Sequence, residues 1–182
     1  MAAAAALASA GGPRVFLFLA YDRAAILRGQ WWRLITSHLV HAQATHLLWN
    51  LAATALVTLA VAPALRAGAW LAAGLAVALG SSLGVLLLQP EVHLMAGLSG
   101  LLHGLLAAGA AAQVRQGERV GWVYLALLAA KIAWEQMAGP SPALQAALGG
   151  RIATGAHALG AAIGLAAGLV LPIAGRRTAR PA

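Results

Sequence analysis

The chain has 182 residues, 62% of them hydrophobic and 9% charged, with a net charge of +8 and a mean hydropathy of +0.82. That much apolar surface leaves no polar exterior for a soluble domain, so the composition points to an all-α integral membrane protein. Cysteine is absent, which excludes disulfides and thiolate chemistry. The basic residues stand singly among apolar stretches, a pattern of membrane topology rather than of nucleic-acid binding.

Six spans of about 20 residues use roughly 120 residues and leave short loops. The expectation is therefore one membrane domain over 1–182, a six-transmembrane-helix bundle. The first span, about 2–20, opens as an alanine run and is interrupted by Gly11, Gly12, Pro13 and Arg14. It reads either as a marginal first helix or as one whose start lies upstream of Met1. No Lys or Arg precedes its apolar run, which speaks against a signal peptide. Residues 21–45 read as a long polar loop, with Trp31, Trp32 and Arg33 suited to the lipid headgroup layer. The second span, about 46–62, stops at Pro63 and Arg66. The third, about 68–88, contains Ser81 and Ser82, both expected to bond to their own helix backbone. A non-helical link, QPEVHLMAG, leads to the fourth span, about 98–114. The fifth covers about 120–138 and the sixth about 152–174, before a basic tail.

Charge bias orients the bundle. Arg66, Arg115, Arg119, Arg176, Arg177 and Arg180 fall on one side, and Arg23, Arg28, Arg33 and Arg151 on the other. The first group is the larger, so its side is expected to be cytoplasmic, with both termini.

In that topology spans two, four and six start on the outer side and share a depth scale of 1.5 Å per residue. His46 and Asn50 open span two, Ser99 opens span four, and His157 lies about five residues into span six, roughly 8 Å deep. Polar side chains inside a bilayer are costly and face a bundle interior or a water-filled cavity. Their convergence at one depth is the main functional signal. The stretch GLSGLLHG supplies the packing as well: Gly100 and Gly104 form a GxxxG, and Gly160, Ala161 and Gly164 follow on the face of His157. Small residues let helix backbones approach, which would bring His157 within reach of Ser99.

A serine hydroxyl becomes a nucleophile when a neighbouring base takes its proton, and neutral imidazole is the usual base. The oxyanion formed on attack needs preorganised donors. Asn50 through its amide, His46 through a ring N–H and the Ser99 backbone N–H at a helix start can supply them. The sequence places no acid behind His157, so it reads as a Ser–His dyad, with Glu135 the one membrane acid able to assist. No HExxH occurs, and the four acids (Asp22, Glu91, Glu118, Glu135) form no cluster, so neither a metal nor a cofactor is expected.

These residues resemble the rhomboid intramembrane serine proteases: Trp32-Arg33 in the first loop, H-x-x-x-N at His46–Asn50, G-x-S-G at Gly97–Gly100, and A-H-x-x-G at Ala156–Gly160. The resemblance covers about 28–164. It implies Ser99 as nucleophile, His157 as base, and His46 and Asn50 with the Ser99 backbone in the oxyanion hole. It also implies a first loop half-embedded in the membrane and a site that water reaches from outside. Many rhomboids carry an aromatic residue four after the serine, where this chain has His103. G-x-S-G-x-x-H-G with Trp134-Glu135-Gln136 resembles the rhombosortase subgroup. Its substrates are exported proteins of Gram-negative-type bacteria with C-terminal sorting tails: a Gly-Gly motif, an apolar helix and a basic end. The implied location is the bacterial inner membrane, with the site toward the periplasm.

Several residues carry competing readings. His103 is either a second candidate base, four residues from Ser99, or an orienter of His157; the facing helix gives His157 the better approach. Lys131 and Glu135 read as an intramembrane ion pair, or as substrate recognition together with Trp32 and Arg33. His38 and His41 read as interfacial side chains, since they lack a metal's full ligand set. His93 lines the cavity or is idle. Two other function classes compete: a rhomboid-like pseudoprotease that binds membrane clients, and a small transporter. A pure binder does not need Ser99, His157, His46 and Asn50 together, and a transporter predicts broken helices near the midplane and a repeat.

Overall fold

The computed structural model describes residues 1–140, 145–146 and 152–174. Arg151, Arg176, Arg177 and Arg180, used above for orientation, lie outside the described residues.

Five long helices carry the fold: α5 (Ala44–Val61), α6 (Ala67–Leu88), α7 (Ser99–Arg115), α8 (Val120–Ala138) and α9 (Thr154–Val170). Ahead of them come α1 (Ala2–Ala10), α2 (Gly12–Leu19), α3 (Arg23–Leu27) and α4 (Arg33–Thr36). The single helix expected over 2–20 is thus two helices. Gly11 and Gly12 separate them, and Gly12 adopts φ +73°, which hydropathy does not register. Among the described residues two helical stretches are long and apolar enough to cross a membrane, Ala44–Ala64 and Ala67–Leu88. The structure thus accounts for two spans on this criterion, not six.

The loop expected over 21–45 is also structured. Tyr21–Asp22 pairs antiparallel with Leu94–Met95, with Tyr21 opposite Met95. Asp22 accepts from the Ala25 N–H at 2.9 Å and caps α3. A helix leaves its last four carbonyls unpaired, and for α2 this loop supplies the donors. Trp32 Nε1–H donates to the Phe18 carbonyl at 3.3 Å, Arg33 Nη1 to those of Leu17 and Ala20 at 2.7 and 2.6 Å, and Thr36 Oγ1–H to that of Leu19 at 2.7 Å. Arg33 Nε–H also donates to Gln30 Oε1 at 2.7 Å. Arg33, expected in the headgroup layer, is instead 6% exposed. It and Trp32 serve as a helix cap.

α7 is the central element. Its residues are buried almost continuously from Gly100 to Gln113, walled by α5, α6, α8 and α9. Outward-facing apolar residues, such as Leu59, Leu87, Trp122 and Val170, stay exposed, as suits helices bordered by lipid. At the far end of the bundle, Arg115 Nη1 donates to the Gly168 and Leu171 carbonyls, and Gln113 Nε2 to that of Ala60. These close the C-terminal turns of α9 and α5.

The α7–α9 pair sets the position of the site. A Cβ on Gly160 would collide with the Gly100 carbonyl, one on Gly164 with the Gly104 carbonyl, and one on Gly168 with the Ala108 carbonyl. A Cβ on Gly104 would lie 2.7 Å from the Gly160 carbonyl. The two backbones therefore touch along three turns, a contact open only to glycine.

Gly164→Val should destabilise the protein by about 1–3 kcal/mol, as overpacking does, a thermal midpoint several degrees lower in detergent. Gly74→Ala, whose Cβ would meet nothing within 4 Å, should leave the midpoint level or raise it slightly. Equal tolerance of both changes would contradict the packing account.

Candidate active site

Ser99 is the first residue of α7, and its backbone N–H lies in the turn where a helix offers donors no internal partner. The preceding link is pinned at two places. Arg23 N–H donates to the His93 carbonyl and Gly97 N–H to the Ser37 carbonyl, at 3.0 and 2.9 Å. The carbonyl is thus what His93 contributes among these contacts. Gly97 adopts φ +114°, a left-handed conformation that glycine accepts without strain. A Cβ there would lie 2.9 Å from His46 Nε2 and 3.3 Å from Asn50 Nδ2. The missing side chain is what lets both donors approach the start of α7.

Across the glycine contact, Ser99 Oγ and His157 Nε2 lie 2.9 Å apart. His157 is 4% exposed. Its other nitrogen is also engaged: Nδ1 lies 2.9 Å from Glu135 Oε2. Lys131 Nζ donates to Glu135 Oε1 at 2.6 Å. The sequence placed no acid behind His157 and named Glu135 as the one membrane acid able to assist; in the structure Glu135 on α8 faces it. A neutral imidazole carries one N–H. With Nδ1–H donating to the carboxylate, Nε2 keeps its lone pair toward the Ser99 hydroxyl. Both Glu135 oxygens are thus engaged within the chain.

His103 stacks on His157, ring centroids 4.2 Å apart and planes at 6°. Its Nδ1–H donates to the Ser99 carbonyl at 2.6 Å, not to the hydroxyl. His103 therefore meets His157 through its ring face and Ser99 through the backbone carbonyl. His103, Glu135 and His157 bring ligand-type atoms within 4.8 Å of one another. Two parallel rings share no in-plane lone-pair direction, so the arrangement suits shared protons better than a cation.

The residues expected on the oxyanion side form a second chain. Asn50 Nδ2–H donates to His41 Nε2 at 2.9 Å, and His41 Nδ1–H then faces Ser9 Oγ at 3.2 Å. This fixes the Asn50 amide and leaves its second N–H free for an incoming oxygen. His41 also meets His46 edge-on at 5.0 Å. The sequence placed His38 and His41 at the interface, yet they are 3% and 5% exposed. His38 Nε2–H is shared between the Ala78 carbonyl and Ser82 Oγ, each at 3.1 Å. Ser82 thus reaches the first loop rather than its own helix alone, whereas Ser81 Oγ does lie near its helix's Ala78 carbonyl, at 3.5 Å.

Ser99, His157, His46, Asn50, His103, Gly97 and Gly100 all line one cavity of about 560 Å³, which also meets Lys131 and Glu135. Gly160 lies behind it, at the helix contact, and Trp32 and Arg33 lie outside it. Sequence reasoning missed His41 as the partner of Asn50, and the contact of Gln136, whose Nε2–H donates to the Thr154 carbonyl at 3.2 Å and ties α8 to the start of α9. The arrangement can move a proton from a hydroxyl to an imidazole while donors wait for an oxyanion.

A family profile described as Rhomboid domain matches residues 28–173. Among curated proteins none matches the chain.

Burial, and secondarily the neighbouring His46, pushes the His41 pKa down to about 4; burial also lowers that of His38. The unfolded chain then binds more protons than the folded one as pH falls from about 6.5 toward 4. Stability should be full above that window and decline through it. Thermal midpoints measured across it should fall, with a shallower slope for His41→Gln. A slope unchanged by that substitution would remove His41 as the cause.

Proposed function

The chain belongs to the rhomboid family of intramembrane serine proteases, and from that premise we propose that it is itself an active protease. The observation that carries the proposal is the 2.9 Å contact between Ser99 Oγ and His157 Nε2. As Ser99 Oγ attacks a scissile carbonyl, its proton passes to His157 Nε2. The carbonyl oxygen becomes an oxyanion that Asn50, His46 and the Ser99 backbone N–H receive. His157 returns the proton to the leaving amine, and the peptide bond breaks to an acyl-enzyme. Water then gives a proton to His157 and attacks the acyl carbon; the bond from that carbon to Oγ breaks, and His157 returns the proton to Ser99 Oγ. A binding protein has no use for a hydroxyl on an imidazole beside waiting donors, which favours catalysis over a client-binding role.

The proposal extends to topology and substrate. The proposed topology has six spans, with α7 and α9 opening on the outer side and the cavity toward the periplasm of a bacterial inner membrane. Arg66, Arg115 and Arg119 on the opposite side support this sense. G-x-S-G-x-x-H-G and Trp134-Glu135-Gln136 support the rhombosortase subgroup. The substrates proposed are exported proteins with C-terminal tails of a Gly-Gly motif, an apolar helix and a basic end. The tail's helix would lie in the bilayer beside the cavity.

In liposomes, such a tail should be cleaved near the Gly-Gly motif, with fragments identified by mass spectrometry. Ser99→Ala and His157→Ala should each lower the rate at least about 10³-fold. His103→Ala removes a ring contact worth about 0.5–1.5 kcal/mol and should slow cleavage roughly 2- to 13-fold. Cleavage that survives Ser99→Ala would contradict the mechanism; stable tail binding without cleavage by the wild type would point to the client-binding reading.

A further inference from the structure

We infer that Glu135 is a positioning residue for His157, itself held by Lys131, so that proton transfer runs on a Ser99–His157–Glu135 group rather than on a dyad. The inference rests on the serine-protease reading above and deepens it.

The two oxygens of Glu135 face different helices. Oε1 takes the Lys131 ammonium, one turn away on α8, at 2.6 Å. Oε2 points across to α9 and meets His157 Nδ1 at 2.9 Å. An ion pair serving α8 alone would need only the first contact. The carboxylate is also the more enclosed partner: its side chain is 15% exposed against 48% for Lys131. A carboxylate in an apolar bundle is costly unless paired, and Lys131 supplies the balancing charge. The pair therefore delivers a stabilised negative oxygen to the back of the imidazole.

That oxygen settles which nitrogen of His157 carries the proton. With Nδ1–H donating to Oε2, the lone pair on Nε2 faces Ser99 Oγ. Without Glu135 the proton is free to sit on Nε2, and the imidazole then has no lone pair for the hydroxyl. His103 does not substitute. Its Nδ1–H is engaged by the Ser99 carbonyl, and it touches His157 through the ring face. Among the described residues, Glu135 is the one acid bonded to His157.

The proton count closes on His157. The Ser99 proton moves to Nε2, Nδ1 keeps its own, and the resulting imidazolium is balanced by the Glu135 carboxylate, which is not protonated in the step. The proton then leaves with the departing amine. Glu135 touches neither the substrate nor the attacking oxygen.

The test uses the full chain in liposomes and the rate at which a fluorophosphonate forms an adduct on Ser99, so no substrate need be known. Glu135→Gln should slow adduct formation about 10²- to 10⁴-fold, and Glu135→Asp should recover at least tenfold of that loss. In Glu135→Ala, added formate should raise the rate with its concentration, whereas chloride at equal ionic strength should not. Lys131→Met should slow the reaction by a smaller factor. Thermal midpoints of each variant show whether it is folded, and the formate comparison is made within one variant. If the wild type reacts, Ser99→Ala does not, and Glu135→Gln matches the wild type, the positioning role is overturned and the serine reading stands. Absence of formate rescue alongside equal losses in Asp and Gln also overturns it. A wild type that forms no Ser99 adduct defeats the underlying protease reading.

Discussion

Two helix backbones in contact hold the site. α7 and α9 approach until the carbonyls of Gly100, Gly104 and Ala108 lie where the side chains of residues 160, 164 and 168 would otherwise be. Within a bilayer there is little hydrophobic force between helices, so packing of this closeness is itself a main source of their association. It has one consequence for chemistry. Ser99 stands on the first turn of α7 and His157 on the first turn of α9. A shift of either helix by one side chain's width would open the 2.9 Å contact between them. The small residues and the polar pair are therefore parts of one arrangement.

The second constraint is that polar groups in an apolar medium need partners, at a cost of about 2–7 kcal/mol each when left without one. Around the cavity the structure meets it with two chains of hydrogen bonds, one of which reaches Ser99. One runs from Lys131 through Glu135 and His157 to the hydroxyl. The other runs from Ser9 through His41 to Asn50, beside His46. In the proposed mechanism the first chain takes the hydroxyl's proton at His157, and the second presents donors to an oxygen. The first begins on α8, at Lys131 in the cavity wall, and the second on α1, outside the cavity. Pairing thus orients the reactive groups as well as stabilising them.

Much of the helical core was legible because lipid-facing and buried helices need long apolar runs. The reading of 120–138 matches α8, and 98–114 differs from α7 by one residue at each end. Helix existence there is fixed by composition, whatever the number of membrane crossings. The first 45 residues were not legible in this way. Hydropathy sees the alanine run but not the turn at Gly12, and it assigns Trp32 and Arg33 to headgroups because it cannot see four open carbonyls on α2. Within the site, depth along the helices brought Ser99, His46, Asn50 and His157 together. Rotation about the helix axis is what separates Lys131–Glu135 as a surface pair from Glu135 as a neighbour of His157. A single sequence carries depth far better than it carries that phase. The burial of His38 and His41 was hidden for the same reason, since it depends on how the loop folds back onto α6 and α5.

The central claim is that the α7–α9 contact makes Ser99 a nucleophile with His157 as its base. The most direct measurement is peptide mapping, by mass spectrometry, of a fluorophosphonate adduct formed on the intact protein in membranes. The account predicts a single adduct, on Ser99, that is lost in His157→Ala. An adduct on another residue, or one undiminished in His157→Ala, would contradict it.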